Sequence, residues 1–372
     1  MIRVFQPKIY ISDIFSVMKN LVSKNISGTS PVIEEFERIV AKKFNRKYGV
    51  AVSNGSVALD LALMNLNLKK GDEVIIPSFT IISCLSAVIR TGAKPVFCDV
   101  NKDTWNMDLE DVKKVFTSKT KAIVIVHTYG LPADAVRISQ FCNENSVSLI
   151  EDAAEAHGQN IDGLQCGSFG KMTTFSFYAN KHITTGEGGM VLTDDFDIYN
   201  NLKQMRNLDF TGTNRFNHNH FYWNYRLGGL QAALGISQLK KMKKTIKIKK
   251  IQGKNYLSIL EQYKDIFQMP MVDYNKSENH FWVFGVVLQK QNIRDKVMID
   301  LADEGIETRP FFWPLHLQNV LNKEFKQENI FLPVSENLGK NGLYLPMGSH
   351  VNLQKQKYIV SKLVQIYNSH VS

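Results

Sequence analysis

A lysine can act as a nucleophile or base when the chain shields it from bulk water, which lowers the cost of losing its proton. Lys181 stands in a context that could do this. It follows Thr174–Tyr178, TFSFY, whose β-branched and aromatic residues predict a buried strand, with Ser176 as the polar exception. The strand stops at Asn180-Lys181-His182, and a loop containing Gly186, Gly188 and Gly189 leads to a second apolar run, Met190–Thr193. Glycines there let other groups approach the backbone closely. By itself the lysine could equally be one of many solvated ones, so its neighbours must decide.

Two other stretches could do chemistry. EDAAEAHG, from Glu151 to Gly158, sets three carboxylates and a histidine among alanines at a predicted strand end. Asp152 there could cap a following helix or hold a proton on a ring nitrogen. Ser53-Asn54-Gly55-Ser56 lies between an apolar run, Tyr48–Val52, and a helical pattern over Val57–Leu66. A helix N-terminus behind such a turn suits a phosphate, although a plain turn with a serine cap reads the same. Neither the GxxxxGKS nor the GxGxxG pattern is present.

These residues need elements to hold them. Short apolar strands at Glu73–Pro77, Lys94–Val100, Ala122–His127 and Ser146–Glu151 alternate with helical patterns. That alternation predicts an α/β fold with a mostly parallel sheet, whose ligands gather at the carboxyl ends of the strands. Asn201–Phe221 reads as polar and irregular, and Trp223–Arg226 as the opening of a helix through Leu239. Past the basic stretch Lys240–Lys254 the composition changes to a smaller α/β unit. We expect a large domain over 1–244 and a smaller one over 245–372.

Composition excludes several classes. The chain has 372 residues, 44% hydrophobic content and a net charge of +10. The densest basic run carries Leu239, Met242 and Ile246 at helical spacing and lacks interleaved aromatics, so it reads as a solvated helix face and not a nucleic-acid surface. No apolar run is long enough to span a membrane, and the N-terminus has no signal-peptide core. The four cysteines have no metal-ligand spacing, so no metal site is expected. Free thiols in a reducing cytoplasm fit them.

With these residues in view, the chain resembles the sugar aminotransferases related to DegT, DnrJ, EryC1 and StrS, pyridoxal-phosphate enzymes of fold type I. The likeness rests on the Asn-Gly-Ser turn, GDEVIIPSFT, EDAAEAHG, FSFYANKHITTGEGGMVLTDD and NYRLGGLQAALG, in that order. It implies that Lys181 binds the cofactor covalently and moves protons. It also implies that Asp152 pairs with the pyridine nitrogen and that Glu155 lies near the phenolic oxygen. Gly55, Ser56 and Ser176 match the phosphate site, and Asn224 matches an asparagine reaching that phosphate from the second subunit of a homodimer. Ile81 departs from the pattern, since many relatives place an aromatic ring there.

The resemblance further implies L-glutamate as amine donor and a nucleotide-diphosphate 4-keto-6-deoxy sugar as acceptor, aminated at C4. The run RPFFWPLH, from Arg309 to His316, resembles the subgroup that makes GDP-perosamine; dTDP or UDP sugars are the alternative. Both substrates are anionic, so Arg226 and Arg309 could contact a carboxylate or diphosphate, or form structural ion pairs. Trp313 and His316 could face the substrate, or belong to a core. A C3 dehydratase of the same fold is a rival reading. Relatives of that kind carry histidine in place of the lysine, whereas here His182 follows a lysine that is present.

Overall fold

The computed structural model describes residues 1–210, 215–324 and 330–371. Strands β1 (Tyr48–Val52), β2 (Glu73–Pro77), β3 (Lys94–Cys98), β4 (Thr120–Val126) and β5 (Ser148–Asp152) are separated by helices. A small hairpin, β6 (Asn160–Ile161) and β7 (Leu164–Gln165), leads to β8 (Met172–Ser176) and β9 (Gly189–Thr193). Seven of these form one sheet in the order β1-β9-β8-β5-β4-β2-β3. Only β9 runs against its neighbours, so the sheet is mostly parallel.

A parallel sheet must be covered on both faces, because its strands are apolar on both. One face packs Ile75, Ile123, Ile125 and Phe175 against the helices Pro31–Lys43 and Gly229–Leu239. The other packs Val50, Ile76, Val124 and Val191 against the helices Gly55–Met64, Ile82–Arg90 and Phe196–Arg206.

A second sheet, β10 (Phe267–Gln268), β13 (Phe284–Leu288), β15 (Gly342–Leu345) and β14 (Arg309–Pro310), is antiparallel. The hairpin β11 (Asp273–Tyr274) and β12 (Ser277–Glu278) precedes β13. The helices Arg294–Asp303 and Leu353–Ser369 cover this sheet around Phe284, Val297 and Leu363. The basic helix spans Met242–Leu260 and serves both cores. Met242 and Ile246 join the first, while Tyr256 and Leu260 join the second, and Lys244 falls in its first turn. The N-terminal residues also attach to the smaller unit, through an isolated bridge from Ile2 to Ile306, whose side chain joins its core.

Two local expectations are corrected. Asn201–Arg206 is not irregular but completes the helix Phe196–Arg206, because Ile198, Leu202 and Met205 recur at helical spacing and bury against the sheet. Residues 211–214 of that stretch lie outside the described residues. Trp223–Arg226 does not open a helix. Val52 bridges Arg226, and Ser53 N–H donates to the Tyr225 carbonyl at 2.9 Å, so this segment is extended beside β1. The helix starts only at Gly229, where Gln231 reaches back to the Gly228 amide.

Candidate active site

Strand register brings the chemical residues together. Val126 is level with Asp152, Asp152 with Thr174, Ser176 with Gly189, and Gly189 with Val52. The carboxyl ends of β1, β4, β5 and β8 therefore share one edge with the start of β9. A cavity of about 530 Å³ opens there, and Gly55, Ser56, Asp152, Glu155, Ser176 and Lys181 all line it.

One end of the cavity is built for an anion. Asn54 caps the helix Gly55–Met64, its side chain accepting from Val57 N–H at 3.0 Å. The first amides of that helix remain free for a ligand. The Ser56 and Ser83 hydroxyls meet at 2.6 Å, which joins a second helix N-terminus to the first. Close backbone approach makes this possible. A Cβ on Gly55 would lie 2.8 Å from the Ser176 Cβ, and one on Gly189 would overlap the Asn54 carbonyl. Gly55→Ala is expected to displace the Ser176 hydroxyl and weaken cofactor binding about tenfold or more; a fluorescence titration of the apoprotein measures this.

The other end holds the lysine. The Lys181 amine is buried 3.4 Å from Glu155 Oε1 and 3.7 Å from the centre of the Trp282 ring. Burial pulls its pKa below that of an ordinary lysine, while Glu155 and Asp152 act to restore it. Burial likewise pushes Glu155 up to about 7 against the opposing pull of Lys181. Glu155 Oε2 also accepts from Tyr129 N–H at 2.8 Å, so the carboxylate cannot swing away.

Asp152 is fully buried, and burial raises its pKa too. Its Oδ1 accepts from Ala154 N–H at 3.0 Å and from the Thr174 hydroxyl at 3.3 Å. Among the described residues its Oδ2 has only the Cys84 thiol, at 3.8 Å. A buried carboxylate with one oxygen left open suits a protonated ring nitrogen.

Behind Asp152, Glu151 fixes the strand. His127 Nδ1 accepts from Ala133 N–H at 3.0 Å, so the imidazole is neutral and donates through Nε2 to Glu151 at 2.9 Å. Burial acts to raise Glu151, but that bond and the Gly167 and Phe169 amides outweigh it and keep the carboxyl ionised.

Below Lys181 lie three buried imidazoles. Burial holds His157 at about 3, His280 at about 4, and His182 well below the ordinary range. They stay neutral in the fold, whereas the unfolded chain protonates them near pH 6.5. Stability therefore falls as pH drops from about 6.5 to about 4, by up to about 1.4 kcal/mol per pH unit for each histidine. Glu155 opposes this with the weight of one proton, because it binds a proton in the fold at about 7 and in the unfolded chain only near its ordinary 4.5. Urea unfolding of the apoprotein at pH 5 and 7 should show the loss at pH 5. His182→Phe should flatten the slope by about one proton's worth.

The remaining expected residues sit outside the cavity lining. The His316 ring is buried, with Nδ1 2.6 Å from the Ser78 hydroxyl and Nε2 3.5 Å from Glu336. Trp313 is 43% exposed, and its indole donates to the Leu317 carbonyl at 3.2 Å. Arg309 is half exposed and paired with Glu307 at 2.5 Å; it lies opposite Tyr344, which lines the cavity, so both side chains leave the same face. Arg226 bonds Asn207 Oδ1 at 2.5 Å, and Asn224 is exposed beside it.

Phe312, which the sequence leaves open between flanking the substrate and joining a core, lines the cavity from the smaller unit, and so do Trp282 and Tyr344, which were not singled out from sequence. The only signal was aromatic residues at the edges of predicted apolar runs, which read equally as core. Ile81 does line the cavity, 43% exposed.

An anion cradle, an open buried carboxylate and a shielded lysine fit pyridoxal phosphate, and the chain is a pyridoxal-phosphate-dependent sugar aminotransferase of fold type I. It belongs to the DegT/DnrJ/EryC1/StrS aminotransferase family, whose model matches residues 10–364. GDP-perosamine synthase of Escherichia coli O157:H7 is 34% identical over 372 residues, covering 99% of each chain. The aminotransferase TlmJ from Streptoalloteichus hindustanus superposes with a TM-score of 0.93 at 26% identity over the full length of both chains. GDP-4-keto-6-deoxy-D-mannose-3-dehydratase of E. coli, with bound hydrated PLP, superposes with a TM-score of 0.87 at 27% identity, covering 97% of this chain and 100% of that one.

Proposed function

We propose that the enzyme moves the amino group of L-glutamate to C4 of a nucleotide-linked 4-keto-6-deoxy sugar, with GDP-4-keto-6-deoxy-D-mannose as acceptor and GDP-perosamine as product. The observation that carries this reading is the meeting of Lys181, Asp152 and the Gly55-Ser56 helix terminus in one cavity. The choice of acceptor is supported by the perosamine synthase relative and by the RPFFWPLH run.

Pyridoxal phosphate serves as the electron sink that makes the amine-bearing carbon of the donor acidic. Lys181 holds the cofactor and, once released, carries the proton to and from the substrate carbon. Its burial favours the neutral amine that this needs. Asp152 would keep the ring nitrogen protonated through its open Oδ2, and Glu155 would lie near the phenolic oxygen. Gly55, Ser56 and Ser176 bind the phosphate. Asn224, exposed on one copy, reaches the phosphate of the other in a homodimer. Exposed apolar residues at Ile11, Phe15 and Val22 on the helix Ile11–Val22, with Phe221 and Trp223, suit that contact.

Arg309 and Arg226 bind the anionic groups of donor and acceptor, and Trp313, next to cavity-lining Phe312, contacts the sugar. His316 supports the wall through Ser78. Among the described residues no helix is long and apolar enough to cross a membrane, and the reaction we propose uses substrates of the cytoplasm.

The test is a glutamate-dependent assay against GDP-, dTDP- and UDP-linked 4-keto-6-deoxy sugars, read by mass. Replacement of the C4 oxygen by an amine, fastest with the GDP sugar, is expected. Loss of the C3 oxygen without amine incorporation would establish the dehydratase reading instead.

A further inference from the structure

Trp282 is clamped more firmly than a wall residue needs. Its backbone N–H donates to the Tyr129 carbonyl at 3.1 Å, and its own carbonyl accepts from the buried Lys249 amine at 3.0 Å. Its indole Nε1 donates to the Asn180 carbonyl at 3.1 Å, the residue immediately before Lys181. Three hydrogen bonds from three separate parts of the chain thus fix both the backbone and the ring plane. Tyr129 and Phe281, which flank this junction, both adopt left-handed backbone (φ 59° and 50°), a conformation that costs about 1 kcal/mol or more for a residue with a Cβ. The fold accepts this cost at the point where the smaller unit meets the lysine.

The clamped ring lies under a charge. Lys181 Nζ stands 3.7 Å from the ring centre, well inside the range for cation–π attraction, and its carboxylate partner is at 3.4 Å. The ring is 5% exposed, so little water competes with it. Indole is the strongest of the aromatic faces for a cation, and the interaction grows when both partners are desolvated.

We propose that the indole face of Trp282 is the docking place of Lys181 in its protonated form, which alternates with the neutral amine once the lysine is released from the cofactor. Trp282 is a positioning residue in this role. It stabilises the protonated amine against its burial and keeps it at the cavity edge. The inference rests on the proposed role of Lys181, but its physical core concerns two side chains of this protein alone.

The experiment follows the titration of Lys181 in the enzyme loaded with pyridoxamine phosphate, where this lysine is free. Protein labelled with [ε-¹³C]lysine is titrated by NMR, and the Lys181 signal is assigned by its loss in Lys181→Ala. Trp282→Leu keeps apolar bulk without the ring quadrupole, and Trp282→Phe keeps a weaker one. The Lys181 pKa is expected to fall by about one unit in Trp282→Leu and by less in Trp282→Phe. An unchanged or raised value in Trp282→Leu, with far-UV circular dichroism like that of the parent, overturns the proposal. If Trp282→Leu does not fold, Trp282→Phe decides: a lowered value supports docking and an unchanged one overturns it. Failure of the underlying reading has a different signature. Borohydride would then fix the cofactor onto a peptide without Lys181 in the unsubstituted enzyme, whatever Trp282 does to the titration.

Discussion

Replacing Lys181 by alanine is expected to abolish amine transfer, lowering kcat by about 10⁴-fold or more, while leaving the chain folded. Among the described residues the amine is the one basic side-chain nitrogen lining the cavity, between Glu155 and Trp282. No neighbour can replace it. His182 and His157 are buried with both ring nitrogens unpartnered among the described residues, and burial depresses their basicity. The substitution also removes a desolvated cation, so thermal stability should change little. Glu155 would lose its partner, and burial would then drive its carboxyl further up, leaving it neutral and still bonded to Tyr129 N–H. Amine exchange between glutamate and 2-oxoglutarate measures the loss, and circular dichroism reports the fold. Borohydride reduction of the parent enzyme should fix the cofactor to the peptide containing Lys181. Normal turnover by the alanine variant would falsify the mechanism.

The second large effect is expected at Asp152. Asparagine keeps the shape, and its amide oxygen can still accept from Ala154 N–H and the Thr174 hydroxyl. What it removes is the negative charge that we place beside the ring nitrogen. Without that charge the nitrogen loses its proton and the electron sink is weakened. Electrostatic contributions of this kind in a shielded site are worth about 3–4 kcal/mol, so kcat should fall about 10²–10³-fold. Cofactor affinity should change far less, because the phosphate end of the site is untouched. The absorbance of the bound cofactor should also shift as its ring nitrogen loses its proton. A variant that kept both the parent rate and the parent spectrum would remove Asp152 from the mechanism.

The large unit was legible because parallel strands must be apolar throughout, and β1 to β5 stand out as such runs separated by helical periods. The expected site residues at their ends, from Gly55 to Lys181, do line one cavity. Where reading the sequence failed, a tertiary partner had overridden a local pattern. Trp223–Arg226 looked helical, but the Ser53 amide and Val52 claimed it as an extended partner of β1. His316 was left open between substrate and core, because no local pattern shows that its two ring nitrogens meet Ser78 and Glu336. The apolar stripe of the helix Ile11–Val22 was passed over because nothing in the sequence says whether such a stripe is covered.

The Thr174–Thr193 stretch and the turn at Gly55-Ser56 were determined by sequence alone: a strand, a presented lysine, a glycine-rich return and a capped helix. Their meeting was decided only by the sheet. β9 runs against its neighbours, so Gly189 comes level with both Val52 and Ser176, and the turn after β1 is pressed against the end of β8. Glycine at 55 and 189 is then a steric requirement of that register, as the contacts of an added Cβ show. Trp282 belongs wholly to tertiary structure. It lies about a hundred residues from Lys181 in the chain, where no local pattern could pair them. Only the docking of the smaller unit puts the ring under the amine.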